Sequence, residues 1–392
     1  MRDTSIYFNH FTIYICRLTI SLSRAFTAHG IMQNADIGEG VVVKNMSTLL
    51  SPVTINEWHL RNRLVMAPLT RGFASDQDGT ATEEMVAYYE RRAQDGVGLI
   101  ITEGINPSLA GKGTYGIPGL YTAEQTDSWK KVTNAVHKHG GTIIAQLWHV
   151  GRLSHSDLIG TLPLAPSSIP AQGRVHKLHK PYQIPQAMSA QDIKDSIQQF
   201  QTAARNAVRA GFDGIELHAA HGYLIDQFIN EKTNHRTDEY GGDIQGRLRF
   251  LKEIIIAVQK EISVDRISVR FSEKKDDDPS YVWTDKTGVL NAYLNLFRET
   301  GITILHPSTD RYTTVWDGEQ NFHEAIREQW DGIIIGVGDL EATTAEQAVQ
   351  NRSIDLAAFG RPFIANPDLV QKLRAGQQLI KYDANAHLTV LV

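Results

Sequence analysis

One cysteine, Cys16, is all that the 392 residues contain. That excludes a disulfide within the chain, and equally a thiolate metal site or an iron–sulfur cluster built from its own residues. No apolar run approaches the roughly 18 residues that a membrane span needs. Charge is not concentrated in either sign: 39 Lys and Arg against 44 Asp and Glu leave a net charge of −5. There is no basic stripe for nucleic acid and no long block of like charge to act as an interaction tail. The expected partners are therefore small molecules, with neither nucleic acid nor membrane involved. A cytoplasmic location is expected, and a homodimer is left open.

Residues 1–45 stand apart from the rest. Their apolar stretch ends at Arg17, too early for a secretory core, and no acidic residue occurs between Asp3 and Asp36. A transit segment, disorder or an over-extended gene start ahead of Met46 would each produce this pattern. A poorly structured extension is expected over 1–45, and one domain over 46–392.

From residue 62 onward a period sets in: a short β-branched strand, a polar loop, a longer amphipathic helix. Strands are expected at 62–69, 97–102 (VGLIIT), 142–148 (TIIAQLW), 214–217, 266–271 (RISVRF), 302–305, 332–337 (GIIIGV) and 354–359 (IDLAAF). Helices are expected at 82–94, 123–139, 189–209 with Ser189 as N-cap, 246–262, 286–299, 319–328, 344–351 and 367–375. Eight alternating units predict an α/β protein, a single-domain (β/α)8 TIM barrel with parallel strands inside and helices outside. Residues 52–60 would form an N-terminal hairpin plugging its bottom. The proline-rich stretch 160–185 is long enough to be a functional loop.

In such a barrel the chemistry sits where strands end. After strand four stand His218, His221 and Tyr223, with Gly222 to turn the backbone. Two imidazoles three residues apart can hold one carbonyl oxygen as it gains charge, and the phenol can supply a proton. The same pair could also ligate a metal, or be buried and satisfied by backbone carbonyls. Strands seven and eight end in Gly338-Asp339 and Gly360-Arg361, where glycine amides and a cation can cradle a phosphate. Thr70, Gln146 and Arg270 present a hydroxyl, an amide and a guanidinium at the same mouth. A planar heterocycle with carbonyls, ring nitrogens and a phosphate meets all of these, and FMN fits. The competing function is a metal-dependent barrel lyase or hydrolase, with His218 and His221 as ligands and His149 or Glu103 as the third.

Five stretches carry a resemblance: 62–71 (NRLVMAPLTR), 146–152 (QLWHVGR), 215–228 (IELHAAHGYLIDQF), 234–242 (NHRTDEYGG) and 358–362 (AFGRP). From about residue 50 to 375 the chain resembles the old yellow enzymes, FMN-containing ene-reductases. The resemblance implies that Thr70 bonds the flavin O4, that Pro68 and Gly104 line the isoalloxazine, and that Gln146 and Arg270 hold its pyrimidine edge. Gly338, the Asp339 amide, Gly360 and Arg361 would hold the phosphate. His218 and His221 would grip the carbonyl of an enone substrate. Hydride from NADPH or NADH would reach its β-carbon by way of FMN, and Tyr223 would protonate the α-carbon. The 234–242 run would order the mouth beside strand four. Three departures stand out. The tail after Tyr382 is not the usual glycine- and tyrosine-rich wall. Arg270 is followed by an acidic run, 276–278. Thr114 competes with Tyr115 for the place of a family tyrosine.

Overall fold

The computed structural model describes residues 46–392; the expectation for residues 1–45 lies outside them. Eight parallel strands close into a barrel. They are β1 (Leu64–Met66), β2 (Leu99–Ile105), β3 (Ile143–Leu147), β4 (Gly214–His221), β5 (Ile267–Lys275), β6 (Ile304–Pro307), β7 (Ile333–Gly336) and β8 (Leu356–Phe359). Each pairs with its successor, and β8 meets β1 at Ala357↔Leu64, Ala358↔Val65 and Phe359↔Met66. The helices between and after them are α1 (Glu83–Asp95), α2 (Ala123–Lys138), α3 (Ala190–Arg209), α4 (Ile244–Val258), α5 (Lys286–Thr300), α6 (Phe322–Arg327), α7 (Ala342–Gln350) and α8 (Leu369–Arg374). The (β/α)8 expectation holds unit by unit.

Local chemistry explains the boundaries. Ser189 caps α3 reciprocally with Asp192, as its spacing predicts. Thr82 caps α1, which stops where Gly96 turns left-handed at φ 92°. β1 is shorter than residues 62–69 suggest, because Pro68 has no N–H to continue the ladder. β4 runs four residues beyond the expected 217, and this extension matters for the site.

Two apolar layers hold the barrel. Inside it, Val65, Leu99, Ile101, Ile144, Ile304, Ile335 and Leu356 pack with Ile55, Trp58 and Leu60. The last three come from the hairpin Val53–Ile55/Trp58–Leu60, so this hairpin closes the bottom as expected. Trp58 also donates through Nε1 to the Asp213 carbonyl at 3.1 Å, and Gly214 leaves room for its ring. Outside, the helices cover the strands with large side chains such as Trp129, Phe200, Phe250 and Phe297, all fully buried. Each such side chain contributes about 1.5–3 kcal/mol of transfer free energy. Among the described residues no helix is long and apolar enough to cross a membrane.

The long proline-rich segment is tied down by two arginines. Arg236 donates to the carbonyls of Pro166 (3.1 Å) and Met188 (2.5 Å) and pairs with Asp238. Arg152 donates to Ile169 O at 3.2 Å. The 234–242 run therefore does order the loops around strand four.

Candidate active site

The site is built on β4, and a parity problem has to be solved there first. Along a strand, residues three apart face opposite sides. His218 and His221 nevertheless come together, with ring centroids 5.5 Å apart and planes at 84°. The β4–β5 register shifts between Ala219 and His221, and His221 adopts φ 61°, a left-handed conformation unusual outside glycine. The Ser272 hydroxyl holds this bulge by accepting from His221 N at 3.0 Å. The histidines thus lie on the strand itself rather than beyond a strand end at 217. Gly222 then turns at φ 84°, its N–H donating to Asp226 Oδ2 at 2.8 Å. Tyr223 follows, its ring 4.9 Å from His218 and edge-on to it.

The surroundings fix protonation. Burial, then the neighbouring His221, Arg270 and His306, hold His218 well below the ordinary imidazole range, so it is neutral. Its Nδ1 accepts from Ala220 N at 3.4 Å, which leaves the hydrogen on Nε2. Burial and the Asp276 carboxylate push the Tyr223 phenol far up, so it keeps its proton. Trp148 stacks on His218 and meets Tyr223 edge-on at 5.0 Å. Gly104 accommodates that indole, for a Cβ there would lie 2.4 Å from it.

Beneath the histidines lies a polar floor that sequence reasoning missed. Glu216, fully buried mid-strand, accepts from Gln146 Nε2 (2.9 Å) and Ser268 Oγ (3.0 Å) and pairs with His306 Nδ1 (2.7 Å). His306 Nε2 lies 3.4 Å from Arg270 Nη1. Burial pushes His306 down; as a neutral ring it donates to Glu216 and accepts from Arg270. Burial opposes the Glu216 charge, but His306, Arg270 and Gln146 outweigh it and keep the carboxyl ionised. Ser308 joins the two layers, accepting from Arg270 Nη2 at 3.0 Å and lying 2.9 Å from His221 Nε2. A carboxylate inside an otherwise apolar strand was the available signal, since such charges are rarely buried unpaired.

The remaining expected residues fall around this floor. Pro68 and Thr70 follow β1, half-buried and exposed respectively. Arg71 donates to the carbonyls of His387 (2.6 Å) and Val390 (2.7 Å), so the C-terminal tail does return to the barrel mouth. The ends of β7 and β8 meet: Arg361 Nη1 lies 3.8 Å from Asp339 Oδ1, both exposed. Gly338, at φ 133°, has no room for a Cβ against Thr309 and Tyr312. Gly360 precedes the short helix Arg361–Ala365.

A cavity of about 310 Å³ opens above Tyr223 and Trp148. Thr114 lines it, whereas Tyr115 is not among the lining residues. Arg152 pairs with Asp277 at 2.5 Å behind it. The metal reading lacks its third ligand. His149, pushed by burial to about 3, accepts from Gly151 N through Nδ1, and Glu103 faces Tyr89 and Gly72. Among the described residues no three His, Cys, Asp or Glu side chains are grouped to hold a metal ion.

Comparison with known proteins agrees with this geometry. Residues 48–379 match the model of the NADH:flavin oxidoreductase / NADH oxidase family. A 12-oxophytodienoate reductase of Oryza sativa subsp. japonica is 38% identical over 363 residues, covering 86% of this chain and 91% of its own. The solved structure of an old yellow enzyme homologue from Zymomonas mobilis superposes with a TM-score of 0.79 at 36% identity, covering 85% of this chain and 94% of that one. Morphinone reductase superposes with a TM-score of 0.77 at 34% identity, covering 86% and 92%. With barrel, motifs and relatives in agreement over most of its length, this chain belongs to the NADH:flavin oxidoreductase / NADH oxidase family, the old yellow enzymes, which work with FMN and NAD(P)H.

Proposed function

We propose that this protein reduces the activated C=C bond of α,β-unsaturated carbonyl compounds at the expense of NADPH or NADH. The observation that carries the reading is the convergence of His218, His221 and Tyr223, which needs a bulge and a left-handed residue to exist at all. Strain of this kind persists where the surroundings enforce it, and it clusters at working sites.

The residues present suit FMN. Arg270 Nε is buried without a partner, and the Gln146 amide nitrogen is spent on Glu216, leaving the oxygen to accept. That is one donor and one acceptor at the mouth, a match for the pyrimidine edge of a flavin. Thr70 would reach the opposite carbonyl. Pro68 and Gly104 would flank the ring, although Gly104 also seats Trp148. The amides and cation at Gly338, Asp339, Gly360 and Arg361 would take the phosphate. Bound FMN supplies the hydride, received from the nicotinamide and passed to the substrate β-carbon.

The chain's own groups do the rest. His218 presents an Nε2–H that stays neutral, and His221 stands beside it, so a carbonyl oxygen between them gains donors as it becomes an enolate. One such donor is worth about 3–4 kcal/mol in the transition state. Tyr223, held protonated, gives its O–H proton to the α-carbon. The test is an anaerobic spectrum of the purified protein. The flavin absorbance bleaches with NADPH and returns when cyclohexenone is added. A bleached spectrum that enones leave unchanged would overturn the reading.

A further inference from the structure

The acidic run after β5 is the part of the site that the reaction above leaves unused. Its three carboxylates behave differently. Asp277 Oδ2 pairs with Arg152 Nη2 at 2.5 Å, and both side chains are buried. Asp278 lies 3.5 Å from Lys232 on the surface. Asp276 is 62% exposed at its side chain, yet its Oδ2 reaches the site: it accepts from Tyr223 Oη at 3.4 Å and lies 3.7 Å from His221 Nδ1. Its backbone N–H donates to His221 O at 3.2 Å, so the position is fixed by the β4–β5 pairing.

The neighbouring charges are already answered. Arg270 is engaged through His306 by Glu216, and Arg152 by Asp277. Lys275 turns inward to Asp226 at 2.8 Å, with neither side chain exposed. Tyr182, from the proline-rich loop, is a neutral phenol held up by burial and by Asp277 and Asp276. Arg174 also lines the cavity, carries no carboxylate partner among the described residues and donates to His179 O at 2.7 Å. Of the two carboxylates lining the cavity, Asp276, beside Tyr223 and His221, is the one with no lysine or arginine paired to it among the described residues. Partial burial raises its carboxyl, and the nearby His221 and the bond from Tyr223 more than offset this, so it is ionised at neutral pH.

We propose that Asp276 is a specificity residue that selects enones bearing a neutral or cationic substituent near the reacting carbons and rejects those bearing a carboxylate there. This rests on the reading of His218, His221 and Tyr223 as the substrate site. A charge held a few ångströms from a ligand in a partly hydrated cavity shifts its affinity by about five- to tenfold.

Phenols that bind between the histidines give a long-wavelength band with oxidised FMN, so affinity can be read without turnover. Three ligands of one shape are titrated into the FMN-loaded full chain: meta-aminomethylphenol, meta-cresol and meta-hydroxybenzoate. The expected order of affinity is cation, neutral, anion, with about five- to tenfold between successive members at low salt, narrowing as salt is added. Asp276→Asn should collapse the order, and Asp276→Lys should reverse it. An unchanged order in Asp276→Asn, with the band intact, would overturn the proposal while leaving the ene-reductase reading in place. The absence of a band with all three ligands in the wild-type protein would instead remove the substrate site on which both stand.

Discussion

Tyr223 shows most directly how surroundings set what a side chain can do. Burial and the Asp276 carboxylate both oppose phenolate formation, so the phenol keeps its proton at any physiological pH, as the proposed proton donor must. An enolate carbon is basic enough to take its proton. Replacement by phenylalanine removes the O–H and leaves the ring packed on Trp148 and His218. Tyr223→Phe is therefore expected to bleach with NADPH at the wild-type rate, while enone reduction slows by about a hundredfold or more. Stopped-flow absorbance of the two half-reactions separates these outcomes; equal slowing of both would take Tyr223 out of the proton-donor role.

At the scale of the element, the end of β4 and the turn after it decide whether three correct residues make one site. Gly222 has φ 84°, and a Cβ there would lie 2.3 Å from Asp277 Oδ1. Asp277 cannot give way freely, because Arg152 holds it. Gly222→Ala should therefore strain the turn that separates His221 from Tyr223. FMN content is expected to hold, since no residue assigned to FMN lies in this turn, while affinity for phenols falls at least tenfold, in line with the roughly 1–3 kcal/mol stored by a strained backbone. Equilibrium titration of the charge-transfer band measures it, and an unchanged affinity would show that the turn is dispensable. The buried pair Lys275–Asp226 braces the same turn from below, because Asp226 also accepts from Gly222 N.

Across the whole molecule, the barrel buries several carboxyls, and at Glu103 the cost is one that pH reveals. Glu103, at the end of β2, is pushed by burial up to about 7, against the pull of backbone amides and of Arg71. In the unfolded chain it titrates near ~4.3. The folded state thus holds the proton more tightly. Stability is greatest below the unfolded value, declines as pH rises towards the folded value, and is level above it. The decline amounts to about 4 kcal/mol. Glu103→Gln keeps the shape without the charge, so its stability should be flatter across that window and exceed the wild type at neutral pH. Urea denaturation at acid and neutral pH tests this; equal pH dependence in the two proteins would contradict it.

The division between what was legible in the chain and what was not follows from the range of the interactions. The eight-unit order, the hairpin plug, the Ser189 cap and the identities of His218, His221, Tyr223, Gln146 and Arg270 all rest on local periodicity or on short motifs, and one strand or helix expresses these by itself. The parity of β4 could not be read that way. The turn at His221 exists because β5 bulges between Phe271 and Lys275 and supplies Ser272, and the two strands are about fifty residues apart in sequence. The floor of Glu216, Ser268 and His306 escaped for the same reason: Glu216 alone stood out in its strand, its partners did not, and only barrel closure stacks them within hydrogen-bond distance. Sequence alone determined which fold forms and which chemical groups it carries. Tertiary structure decided which of those groups meet, which are neutral and which of the two carboxylates lining the cavity stays without a cationic partner, because desolvation and charge pairing depend on neighbours that the chain order does not place side by side.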